Sequence, residues 1–178
     1  MEIVNIVTSG SLNQRMNLQF LSDSLDVFDY DPESYHGGYL KLSKYTATTY
    51  SSGKYIVPGV KSIDDIKDIS ADIRYAFEGI VDIGSMSEPE IRNIVAMTSV
   101  DGDLDLIGLF SYLVNVLGEG EVGYEPESFP GLIWKTELGT ANIYRSGKIV
   151  LLGTNSLVAL TELNEYVLSM LEQSNTLF

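Results

Sequence analysis

The chain has 178 residues, 44% of them hydrophobic, so it can bury a core and does not have the composition of a disordered segment. It has no cysteine, which removes disulfides and thiolate metal sites, and no run of about 18 apolar residues that could cross a membrane as a helix. Eleven Lys and Arg stand against 25 Asp and Glu, a net charge of −14, so a phosphate-rich partner is repelled unless the few cations are gathered in one place.

The chain opens on a β-branched run, Ile3 to Val7, that reads as a strand. It lacks the basic start and apolar stretch of a secretory leader, so an intracellular location is expected. Leu18, Leu21 and Leu25 follow at helical spacing. After Gly37-Gly38 come short strands, with Ser52-Gly53 turning Ala47–Tyr50 back into Tyr55–Val57. Ile63, Ile66, Ile69, Ile73, Phe77 and Ile80 then recur every three or four residues, a long helix whose start is marked by Ser62 and Asp65. Gly84 to Pro89 is small and polar and reads as a connector. Beyond it the series begins again. Ile91 to Val95 is a strand, and Leu106, Leu109, Leu113 and Leu117 mark a helix. Pro130-Gly131 precedes further strands, and Ser146-Gly147 turns Ala141–Tyr144 into Ile149–Leu152. Ser156 starts a helix carrying Leu160, Leu163, Val167 and Leu171 on one face.

The recurrence is literal. Tyr30-Asp31-Pro32-Glu33-Ser34-Tyr35 returns 94 residues later as Tyr124-Glu125-Pro126-Glu127-Ser128-Phe129. Tyr50-Ser51-Ser52-Gly53-Lys54 returns at the same offset as Tyr144-Arg145-Ser146-Gly147-Lys148, and Gly59 as Gly153. At the front, Asn5-Ile6-Val7 returns as Asn93-Ile94-Val95 at an offset of 88, which places about six inserted residues in the second copy, near Asn115 to Gly123. Three blocks in one order at one offset mark a duplication, with copies over about 1–84 and 90–175.

Strand, helix, strands and long helix, twice over, imply an α+β fold with helices on one face of an antiparallel sheet. Period-two alternation then puts Asn5, Val7, Thr48, Tyr50, Ile56 and Pro58 on the other face of the first copy. In the second copy it puts Asn93, Val95, Asn142, Tyr144, Val150 and Leu152 there. That face is apolar and aromatic although uncovered, which marks a binding surface.

Tyr124 to Lys135 (Tyr-Glu-Pro-Glu-Ser-Phe-Pro-Gly-Leu-Ile-Trp-Lys), followed by Ser146-Gly147-Lys148-Ile149-Val150, resembles the second repeat of the TATA-box-binding protein family; the first copy is a looser version, and the resemblance spans nearly the whole chain. The short start and missing cysteine resemble archaeal members. The resemblance implies a saddle of two pseudo-symmetric repeats, a curved antiparallel sheet with helices on its convex face. It implies a general transcription initiation factor that binds and bends A·T-rich double-stranded promoter DNA through the minor groove and recruits transcription factor B. That factor would sit in the cytoplasm or nucleoid of an archaeon, or in a eukaryotic nucleus. Asn5 and Asn93 fall where the family reads base edges, with Val7 and Val95 beside them and Ile56 and Val150 on the same face. Tyr35, Tyr50, Phe129 and Tyr144 fall on its kinking aromatics. Lys41, Lys54, Lys135 and Lys148 fall on its phosphate contacts, and Glu125 and Glu127 on the loop that meets transcription factor B. Base-contacting threonines of the family fall on Pro58 and Leu152, and apolar family positions on Thr48 and Asn142.

A second reading is a divergent paralogue of the same fold that binds protein, or itself through the sheet, instead of DNA. An enzyme is not expected. His36 stands alone, no carboxylate pair has a nucleophile beside it, and Gly118-Glu119-Gly120 is too short and acidic to cradle a phosphate. No cofactor or metal is implied.

Overall fold

The computed structural model describes residues 1–118 and 120–177; Glu119, which the sequence places in the inserted stretch and in the rejected phosphate loop, lies outside the described residues, as does Phe178. The chain divides into two units, one of residues 5–92 and one of residues 93–178 with 1–4. In the first, β1 (Glu2–Ser11), α1 (Leu18–Ser24), β2 (Phe28–Asp29), β3 (Gly37–Lys41), β4 (Thr46–Tyr50), β5 (Lys54–Val60) and α2 (Asp65–Phe77) follow in order. In the second come β6 (Glu90–Ser99), α3 (Leu106–Leu117), β7 (Val122–Gly123), β8 (Leu132–Lys135), β9 (Thr140–Ile143), β10 (Lys148–Thr154) and α4 (Leu157–Ser174). Within the units the strands run antiparallel in the orders β2-β3-β4-β5-β1 and β6-β10-β9-β8-β7. Two α+β units thus share one sequence of elements, as the α+β expectation requires.

Helices α1, α3 and α4 start where their caps are. Asn17 Oδ1 accepts from the Phe20 N–H at 3.1 Å, Asp105 from the N–H groups of Ile107 and Gly108, and Ser156 Oγ from that of Ala159. Each satisfies donors that a first turn leaves unpaired. Three helical boundaries differ from the periodicity. The α2 helix runs only from Asp65 to Phe77, so Ile63 and Ile80 flank it, and Gly79 at φ +76° follows its end. Leu25 is extended and follows α1. The inserted residues of the second copy lengthen a helix rather than only a loop, since α3 has 12 residues where α1 has 7.

Alternation sorts the strands as expected. Ile6, Leu40, Ala47, Tyr55 and Val57 are buried with Leu21, Ile69, Ile73 and Phe77 of the helices; Ile94, Leu132, Trp134, Ala141, Ile143, Ile149 and Leu151 are buried with Leu109, Leu160, Leu163 and Val167. Phe28 meets Phe77 at a ring distance of 6.3 Å, and Trp134 meets Tyr166 of α4 at 5.2 Å. Burial pushes the Tyr55 hydroxyl up to about 12.

The start of α2 is tied to the β3–β4 turn. Asp65 accepts from Lys44 Nζ at 2.7 Å, Tyr45 Oη at 2.9 Å and Ser62 Oγ at 2.9 Å. The Lys44 hydrogen bond first, then those from Ser62 and Tyr45, hold the Asp65 carboxyl down at about 2. A depressed carboxyl contributes stability above its unfolded value of 3.8 and loses it as pH falls toward 2. An Asp65→Asn variant is therefore expected to melt below wild type at pH 7. The gap should close between about pH 4 and pH 2, read by thermal melts across that range.

Candidate nucleic-acid interface

The strand residues that point away from the helices form two matching faces. Across the first unit Tyr39, Thr48, Ile56 and Ser9 lie in cross-strand register. Across the second, Ile133, Asn142, Val150 and Met97 do. All are half-buried or exposed, as are Asn5, Val7, Tyr50, Asn93, Val95, Tyr144 and Leu152. Tyr39, Ser9, Ile133 and Met97 are additions to the residues singled out in the sequence. The period-two count from Lys41 and from Lys135, and from Val7 and Val95, reaches each of them.

Asn5 and Asn93 do the same thing in each unit. The ladders slip at one place, between Ile6 and Thr8 opposite β5, and between Leu151 and Thr154 opposite β6. Gly59 and Gly153 sit in those slips at φ +82° and +87°, a left-handed backbone that favours glycine. Their N–H groups are turned off the ladder and donate to Asn5 Oδ1 and Asn93 Oδ1, both at 2.9 Å. With Oδ1 occupied, the amide orientation is fixed. Among the described residues the two Nδ2 groups donate to nothing, so each face carries one oriented, uncommitted donor.

The aromatics are brought together in pairs. Tyr35 and Tyr50 stand at 6.4 Å with their hydroxyls 3.0 Å apart, and that hydrogen bond, with burial, raises the Tyr50 hydroxyl above its ordinary value. Phe129 and Tyr144 stand at 5.8 Å. Glycine makes both pairs possible. A Cβ on Gly37 would lie 3.0 Å from the Tyr35 ring and 3.1 Å from that of Tyr50, and one on Gly131 would lie 2.8 Å from Phe129 and 3.0 Å from Tyr144. The first pair is extended by His36, 4.4 Å from Tyr35, and by Tyr39, 6.0 Å from it. The lone histidine, a surface loop residue by its sequence, is an exposed neighbour of an aromatic pair.

Charge is segregated. The outward positions of β1, β3, β4 and β5, and those of β6, β8, β9 and β10, hold no carboxylate; the acids nearest them are Asp29, opposite Tyr39 on the short edge strand, and Glu88 and Glu90, which line a cavity with Ser9, Tyr50, Lys54 and Ile56 and of which Glu90 is paired with Arg92. Lys44, Arg74, Arg92 and Arg145 lie in ion pairs. Lys41, Lys54, Lys135 and Lys148 are exposed and pair with no carboxylate among the described residues. Glu125 and Glu127 lie elsewhere, on the loop before β8, where the N–H groups of Ser128 and Phe129 close a turn onto the Glu125 carbonyl at 2.9 Å; both side chains are exposed. No group of three His, Cys, Asp or Glu among the described residues could hold a metal ion, and no described helix is long and apolar enough to cross a membrane.

The profile of the family described as "Transcription factor TFIID (or TATA-binding protein, TBP)" matches residues 1–78 and 88–174, both units in turn. The chain belongs to this family. Among TATA-binding proteins it is similar to TATA-box-binding protein 2 of Haloferax volcanii, 35% identical over 85% of this chain and 82% of that one. It is also similar to TATA-box-binding protein B of Halobacterium salinarum (33%, with the same coverage) and to the TATA-box-binding protein of Pyrobaculum aerophilum, 31% identical over 86% of this chain and 77% of that one. The solved structure of the Methanococcus jannaschii TATA-binding protein matches with a TM-score of 0.76 and 24% identity, covering 97% of this chain and 98% of that chain. At that identity the likeness speaks to the fold, which is the one expected from the resemblance. The TATA-binding protein family is one of transcription factors and not of enzymes, and the relatives named are archaeal.

Proposed function

We propose that the chain is a general transcription initiation factor whose two repeats, over about 1–84 and 90–175, lay their uncovered faces in the minor groove of A·T-rich promoter DNA and bend it. The observation that carries this reading is the pair of asparagines locked by Gly59 and Gly153 so that each offers a donor among outward strand positions that hold no carboxylate. The minor-groove floor of A·T pairs presents acceptors only, adenine N3 and thymine O2, whereas guanine adds a donor. Oriented donors flanked by Val7 and Val95 suit such a floor and oppose guanine. Tyr35 with Tyr50, and Phe129 with Tyr144, are the wedges that open base steps; bending then covers Ile56, Val150 and their neighbours. The mutual hydroxyl bond of Tyr35 and Tyr50 lets that pair leave water without orphaning either oxygen. Lys41, Lys54, Lys135 and Lys148 neutralise phosphates, and the exposed Glu125 and Glu127 meet transcription factor B. A protein with this job works inside the cell.

Four phosphate contacts imply a shallow salt response, a slope of log affinity on log salt of about −4. A duplex titration across potassium concentrations, with and without transcription factor B, tests this. Lys54→Gln or Lys148→Gln should weaken binding to all sequences alike and flatten the slope by about 1. A Glu125→Lys/Glu127→Lys variant should keep the duplex and lose transcription factor B. A slope near −10, or unchanged slopes in the lysine variants, would rule out this placement of the phosphates.

The net charge of −14 favours a second reading, a paralogue of the same fold whose apolar faces bind protein or a second copy. Sedimentation of the protein alone at high concentration decides the self-pairing version, which a strict monomer excludes.

A further inference from the structure

Asn142 is the third asparagine on the uncovered faces, and it differs from the other two. It stands in the middle of an apolar row, with Ile133 and Val150 as its cross-strand partners and Met97 beyond Val150. Its carboxamide makes no hydrogen bond among the described residues, and it is half-buried. A lone amide between β-branched side chains is unfavourable in a strand, and once a ligand covers the face, an unmet amide weakens binding. The same rank of the first unit holds Thr48, whose hydroxyl sits directly on Cβ and reaches less far.

Asn5 and Asn93 have given Oδ1 to a glycine N–H and present a donor alone. Asn142 has given up neither end. Its amide is free to turn, so it can donate to adenine N3 or thymine O2, or accept from the guanine N2 amino group, the one donor the minor groove contains. Resting on the minor-groove reading above, we propose that Asn142 is a specificity-determining residue that accepts this amino group, so that one base step on the second repeat's half of the element takes a G·C pair. The first repeat, with Thr48 at this rank, has no such amide. A duplicated fold would otherwise read a symmetric element with no preferred direction; a single G·C step gives the bound protein an orientation.

The test uses an A·T-rich duplex in which each pair in turn is replaced by G·C or by inosine·C, which lacks the N2 amino group but is otherwise the same pair. Anisotropy titrations compare wild type with Asn142→Leu, nearly isosteric, and with Asn142→Val, a strong strand former that guards against misfolding of the first. At one position wild type should bind the G·C duplex about tenfold tighter than the inosine duplex, and both variants should reverse that order. Equal penalties for guanine at every position, in wild type and variants alike, overturn the inference while leaving the minor-groove reading in place. Failure of wild type to bind even the unsubstituted duplex removes that reading and this inference with it.

Discussion

Replacing Asn5 and Asn93 together by aspartate is expected to leave the fold intact and to abolish duplex binding. Each asparagine has two tasks on two atoms. Oδ1 accepts the N–H of Gly59 or Gly153 at 2.9 Å, which a carboxylate does at least as well. Nδ2 is the donor offered outward, and aspartate removes it while placing a negative charge against acceptor oxygens. Two lost hydrogen bonds at about 1–3 kcal/mol each, with that repulsion added, correspond to a loss of at least about 100-fold. The alanine pair behaves differently. It strips the bulged glycines of their partner as well and should lower stability by about 1 kcal/mol per site, so poor binding there reads two effects at once. Thermal melts beside anisotropy titrations separate the two. An aspartate variant that melts normally and still binds would exclude base contact by either asparagine.

Phe129→Ala/Tyr144→Ala is expected to weaken binding by about 100-fold and to remove roughly half of the bend, since in the proposed complex the pair is one of two wedges. The loss follows from geometry. The rings lie 5.8 Å apart over Gly131, which leaves room for no other side chain there. Without them the base step stays stacked and the duplex stays away from Val150 and Ile133. Energy transfer between dyes at the duplex ends reads the bend independently of affinity. Tyr144→Phe is the control and should bend DNA as wild type does, because the Tyr144 hydroxyl makes no hydrogen bond among the described residues. A double alanine variant that bends the duplex fully would take the wedge role away from this pair.

Much of the molecule is legible in the sequence because duplication reports itself. The offset of 94 residues alone aligns turns, aromatics and lysines, and period two sorts the strand residues onto their faces. Three things are not legible. A lone asparagine in a strand can be a side chain satisfied by backbone, whereas two at equivalent positions of a repeat favour base contact. Asn5 and Asn93 do make a backbone contact, which depends on a ladder slip and on a glycine more than 50 residues away, Gly59 for Asn5 and Gly153 for Asn93. No local pattern announces that. Periodicity overruns the ends of α2 because Ile63 and Ile80 keep the helical spacing although the helix stops short of both. The change of offset places the inserted residues near Asn115 to Gly123 but does not say how many are helical; α3, whose Leu109 and Leu113 are buried, takes in Asn115 to Leu117. The charge pattern is half visible. The four lysines are readable one by one, but that no carboxylate among the described residues pairs with them needs the sheet, which brings distant strands into one row.

Minor-groove binding with bending is tested most directly by a titration of an end-labelled A·T-rich duplex with the wild-type protein at moderate and high potassium, reading anisotropy and end-to-end energy transfer in the same sample. Saturable binding is expected in which the ends draw together in step with occupancy, retained when A·T pairs facing Asn5 and Asn93 become inosine·C. Transcription factor B captured by a protein that neither binds nor bends any duplex would contradict it.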